Sequence, residues 1–132
     1  MLLLRPARAG SGFAKAPEPR PSSQEVTSDG GLIEAGICAL DAPADDDFLE
    51  RFERRLAPRL EAAGAELIGV YITDASANTY PRLPVREGEH VLVWFARFAD
   101  VDAHHRYEAA LLADTAWREA VAQSLLHGLK QR

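Results

Sequence analysis

A chain of 132 residues with 47% apolar and 27% charged side chains has the length and composition of one folded domain, which excludes a disordered or fibrous protein. Its formal net charge of −5, from 20 acids and 15 bases, argues against a nucleic-acid binder. A single cysteine, Cys38, leaves no internal disulfide and no cysteine-based zinc site.

The chain opens on Met1–Pro6, MLLLRP, an apolar run ended by proline. It is too short for a signal-peptide core, and no run in the chain is long enough to span a membrane. The expectation is a cytoplasmic protein without membrane insertion. Pro17, Pro19 and Pro21 with neighbouring Gly and Ser mark an extended arm or linker. The division read from this is an N-terminal arm over 1–30, with a short strand near 2–5, and a folded domain over 31–132.

Leu32–Leu40 reads as a strand, with Ile33, Ala35, Ile37 and Ala39 on one face. Leu32, Glu34, Gly36, Cys38 and Leu40 line the other, and Glu34 is its lone charge. Gly36 marks a bulge or a close backbone approach. One of Asp45, Asp46 and Asp47 caps a helix whose apolar stripe is Phe48, Phe52, Leu56, Leu60 and Ala63. Pro58 interrupts that stripe and predicts a kink near Arg54–Ala57. Arg51, Arg54, Arg55 and Arg59 are interleaved with Glu50, Glu53 and Glu61, the pattern of a solvated helix face.

Strands follow at Glu66–Thr73 and Glu89–Phe98, joined by a long loop, Asp74–Gly88. Asp100 or Asp102 caps the next helix, with His104, Tyr107 and Leu111 on one face. Asp114 breaks and recaps it, and Trp117, Val121, Leu125 and Leu129 form the stripe of the second piece. No strand is expected after that helix.

From Leu32 the order is β-α-β-β-α, an α+β, ferredoxin-like unit lacking its last strand. Both helices cross the same face of the antiparallel sheet. Both faces of the strands at Glu66 and Glu89 are nevertheless apolar, so a second copy is the simplest cover for the other face. Two such sheets packed face to face give a homodimeric α+β barrel.

Gly69–Thr73 (GVYIT), Asn78–Gly88 (NTYPRLPVREG), Val91–Phe98 (VLVWFARF) and Ala113–Glu119 (ADTAWRE) resemble the NIPSNAP family of the dimeric α/β-barrel superfamily. The resemblance runs from about Leu32 to Leu129 and contains no catalytic signature. It implies a dimeric barrel of undetermined biochemical function that binds a small ligand or a protein partner. The family usually ends with an LLRP-like strand, whereas here Leu3-Leu4-Arg5-Pro6 stands at the front. Either the arm supplies the fourth strand or these residues follow a preceding unit in a longer ancestor. The expectation taken is that Leu2–Arg5 fills the missing strand's place.

The superfamily also contains cofactor-independent oxygenases and haem-degrading enzymes, which form the alternative reading. The haem-degrading members carry a Trp on the third strand and a ligating His at similar spacing on the next helix, as Trp94 and His104 stand here. They also use an Asn on the first strand, which Leu32–Leu40 lacks. The reading preferred is therefore Trp94 in the core, His104 on a half-buried helix face, and no cofactor. Adjacent His104 and His105 point a quarter-turn or more apart, so no metal is expected. Asn78, Tyr80, Arg82 and Arg86 lie in the long loop, where the two guanidinium groups are suited to an anion. The candidate ligand-binding residues are Tyr71, Asn78, Arg82, Arg86, Trp94 and His104, for a small anionic or aromatic ligand.

Overall fold

A computed structural model describes residues 1–14, 31–79, 82, 84–85 and 87–119. Its strands are β1 (Leu4–Pro6), β2 (Leu32–Leu40), β3 (Glu66–Thr73) and β4 (His90–Phe98). They form one antiparallel sheet in the order β1-β3-β4-β2. The helical segments are α1 (Asp46–Arg51), a π-helical turn (Phe52–Leu56), α2 (Ala57–Ala62) and α3 (Val101–Ala113). The architecture from β2 onward is the α+β, ferredoxin-like one expected. The 15–30 linker and the end of the last helical stripe, Val121 to Leu129, lie outside the described residues.

The helix starts follow from single carboxylates. Asp45 accepts the Phe48 N–H at 2.7 Å, and Asp100 accepts that of Ala103 at 2.7 Å. Asp114 accepts the Trp117 N–H at 3.0 Å, so α3 breaks there and a further helical turn begins at 115–119.

The expected kink at Pro58 takes the form of the π-helical turn. Ala57 N–H reaches back five residues to the Phe52 carbonyl. This wider turn accommodates the donor that Pro58 lacks. It also corrects the apolar stripe. Phe48, Phe52, Leu56 and Leu60 are each four apart, and in an ideal α-helix three such steps drift by about 120°. The π turn takes up part of that drift, and all four side chains are buried.

These side chains pack on the inner face of the sheet, against Leu92, Trp94, Ala96 and Phe98 of β4, Ile72 of β3 and Tyr107 of α3. Gly36 is the close approach expected in β2. A Cβ there would lie 2.1 Å from Trp94 Cε2, so the indole lies across β2 only because residue 36 has no side chain.

The outer face differs from the expectation, because the chain's own arm covers part of it. Phe13 packs on Tyr71 and Phe95, with ring centroids 5.2 and 5.0 Å away. Its N–H bonds the Tyr71 hydroxyl at 2.9 Å. Gly69 leaves the space for the Phe13 ring, whose Cε1 is 3.0 Å from where a Cβ would stand. Ser11 joins the arm to the backbone of Val70, accepting its N–H at 2.8 Å and donating to its carbonyl at 3.0 Å. Farther along the sheet Ile33 and Ile37 stay 61% and 65% exposed.

The place expected for the N-terminal strand is corrected. In a β-α-β-β-α-β unit the two crossovers interleave, so the final strand lies beyond the first. That position is beside β2. β1 pairs instead with β3, on the opposite edge, in the register Leu4↔Thr73. Either edge would satisfy its backbone. The β3 edge also seats Ala7 in the core and gives Phe13 its socket over Gly69.

Candidate functional site

Among the described residues, those named from sequence lie in three separate places. Tyr71 and Trp94 lie on opposite faces of the sheet. The first is on the outer face with Phe13 and Phe95, the second on the inner face, 5.8 Å from the Phe52 ring. The long loop leaves the sheet at the His90 end of β4, where Leu40 pairs with His90. Arg82 is exposed there and Asn78 half-buried. Arg86 and Tyr80 lie outside the described residues.

His104 stands at the other end, where Leu32 pairs with Phe98. Its imidazole packs edge-on against Phe98 at 5.0 Å. Its Nε2 meets the carboxylate of Glu34, which β2 directs to the inner face. Its Nδ1 is 3.9 Å from Glu108, one turn along α3. Both ring nitrogens therefore face carboxylates. His105, next in sequence, is exposed.

Beyond this pair, between β2 and α3, opens a cleft of ≈ 490 Å³. Tyr107, Leu111, Leu112 and Trp117 give it apolar walls; Glu34, Glu108 and Arg118 supply the charges. Burial, with the nearby carboxylates of Glu34 and Glu108, pushes the Tyr107 phenol up to about 12. It stays a neutral hydroxyl through the physiological range. Such a cleft can hold an apolar body and present the Glu34 carboxylate, with His104 behind it, to its polar end.

Sequence reading missed Glu34, Tyr107 and Trp117 as a group. The available signal was Glu34 itself, a lone charge on a strand face that is otherwise apolar. Nothing in the spacing links it to a histidine 70 residues away. A second hollow, of ≈ 510 Å³, is lined by Arg54, Arg55, Arg59 and Glu119. Its cations are engaged within the chain. Arg54 meets Glu50 at 2.7 Å, Arg59 lies 3.7 Å from Asp114, and Arg55 also has a partner. Buried Trp94 Nε1 has no hydrogen-bond acceptor among the described residues. Among those residues no group of three or more His, Cys, Asp or Glu side chains is placed to hold a metal ion, and no helix is long and apolar enough to cross a membrane.

No family model matches the chain, and no curated protein does. Among solved structures it is similar to an uncharacterized NIPSNAP-like domain protein from Burkholderia xenovorans. The match has a TM-score of 0.57 and 24% identity, over 78% of this chain and 79% of that one. A likeness at this identity shows a shared fold.

Proposed function

We propose that the chain is a NIPSNAP-like homodimeric protein that binds a small ligand with an apolar, aromatic-sized body in the cleft between β2 and α3. The observation that carries the binding is the cleft itself: apolar walls of Tyr107, Leu111 and Trp117 beside the Glu34 carboxylate, which His104 holds from behind. The NIPSNAP-like neighbour supports the fold assignment behind it. The homodimer is supported by the bare Ile33 and Ile37 on the outer face. The anion-binding role of Arg82 and Arg86 has less behind it, since Arg82 stands at the far end of the sheet from the cleft. A reducing, cytoplasmic setting fits the free thiol of Cys38.

Trp117 reports on the cleft. In a Trp94→Phe variant its fluorescence is the only tryptophan signal. Titration with naphthalenemethanol, 1-naphthylmethylamine and 1-naphthoate is expected to quench or shift it, with an affinity that ranks the three by charge. Leu111→Trp in the unmodified chain, checked by calorimetry, is expected to fill the cleft and abolish binding. Binding that survives the filled cleft would place the ligand elsewhere.

One observation favours the enzymatic alternative: the Glu34 carboxylate that lines the apolar cleft has the His104 imidazole behind it, and a carboxylate–imidazole pair can exchange a proton with a bound substrate. The haem-degrading form of that alternative needs His104 Nε2 as a ligand, and Glu34 occupies that nitrogen. Hemin is therefore expected to give no one-to-one, His104-dependent Soret shift. Such a shift, lost in His104→Ala, would overturn this reading.

A further inference from the structure

We infer that the ligand of the cleft between β2 and α3 is an organic ammonium ion. Its charge is set among Glu34, Glu108 and the Tyr107 hydroxyl, and its apolar body lies against Trp117 and Leu111. This rests on the cleft binding proposed above and names the charge of what is bound.

The cleft contains a polar group that the fold leaves unused. Tyr107 is only 2% exposed, and its ring is fixed against Phe98 at 4.7 Å. Its hydroxyl has no hydrogen-bond partner among the described residues, yet it is not sealed off as Trp94 Nε1 is. A phenol buried to this degree ordinarily finds a partner for its oxygen. Tyr107 lines the cleft, so that partner comes from whatever the cleft holds.

The neighbours of the hydroxyl decide the sign of that partner. Glu34 and Glu108 line the same cleft, and after burial it is their two charges that keep the proton on the phenol. A carboxylate or phosphate brought to this place would stand beside two carboxylates. An ammonium group would instead give its N–H donors to the phenol oxygen and to the carboxylates, as charge-assisted hydrogen bonds.

Both carboxylates have capacity to accept them. His104 engages Glu34 through Oε2, and Oε1 has no partner among the described residues. Glu108 stands 3.9 Å from His104 Nδ1, beyond hydrogen-bond reach. Arg118 is the opposing charge on the lining, but it is exposed, and water screens it more than the half-buried Glu34. The indole of Trp117 attracts a cation as well as an apolar body. The net charge of −5 on the whole chain adds a field of the same sign.

The test is calorimetry on the full chain at neutral pH with three probes of one shape. 1-Naphthylmethylamine, protonated there, is expected to bind at least about tenfold more tightly than naphthalenemethanol, and 1-naphthoate the most weakly. Glu34→Gln and, separately, the exposed Glu108→Gln are each expected to cut the amine-to-alcohol ratio severalfold. Arg118→Gln is expected to raise it. Alcohol or naphthoate binding as tight as that of the amine overturns the ammonium assignment and keeps the cleft. An amine preference that both glutamine variants leave intact overturns it in the same way. Binding of none of the three, or binding that survives Leu111→Trp, overturns the cleft reading and this inference with it.

Discussion

The two faces of the sheet are covered by different kinds of structure. On the inner face, helices return an apolar side chain every three or four residues, and Phe48, Phe52, Leu56, Leu60 and Tyr107 are buried there. On the outer face an irregular arm delivers one ring, Phe13, still 50% exposed, held by a strand of three residues and a hydroxyl. A periodic element seals a face. An arm seals only the patch under its anchoring side chain. That is why the inner face is a continuous core while the outer face ends in bare isoleucines at β2.

Substitutions can break or sharpen this contrast. Phe52→Ala is expected to cost the most, about 3–5 kcal/mol, because it empties a fully enclosed site beneath Trp94. Gly36→Ala follows at about 1–3 kcal/mol, since the new methyl would have to displace the Trp94 ring. Phe13→Ala is expected to cost about 1 kcal/mol, as a half-exposed ring returns only part of its area to water. Tyr71→Phe should match it, at about 0.5–1.5 kcal/mol for the lost bond to the arm. All four are read from denaturant midpoints at constant slope. Equal costs for Phe13→Ala and Phe52→Ala would show that the arm is as much a core element as the helices.

The last effect appears only in alkali and belongs to the inner face. Burial pushes the Cys38 thiol up to about 11 and the Tyr107 phenol up to about 12. Both values are raised in the folded chain, so their contribution is complete below the ordinary thiol value near 9 and is lost as pH rises through about 11 and 12. Stability should therefore decline from about pH 9 upward. Cys38→Ala should flatten the first part of that decline. A midpoint insensitive to pH up to 12 in both proteins would mean that neither group is held neutral by the fold.

Much of the fold was legible because its signals are local. The caps at Asp45, Asp100 and Asp114, the irregularity before Pro58 and the alternation along β2 each depend on residues within a turn or two. The strand bounds at Leu32–Leu40 and Glu66–Thr73 stand as read. The candidate site was much less legible. Tyr71 and Trp94 both looked available because alternation along a strand tells which residues share a face, not which face the helices cover. Glu34 with His104, and Phe13 over Gly69, are pairings between distant segments that no periodicity encodes. Phe13 had one sign in its favour, as an aromatic ring set in an arm of Gly, Ser and Pro.

The docking of β1 has a consequence for the order in which the chain assembles. Leu4 and its partner Thr73 are about 70 residues apart along the chain, so this pairing closes a long loop. The strand at Leu4–Pro6 must wait for β3, and for β4 to hold β3 in place, before it has an edge to join. Until then Met1–Leu4 is an unsheltered apolar segment, of the kind that draws a chaperone or a neighbouring nascent chain. Arrival of the arm is thus expected as the last, slowest step, visible as a late phase in the burial of Phe13 after the helices have formed.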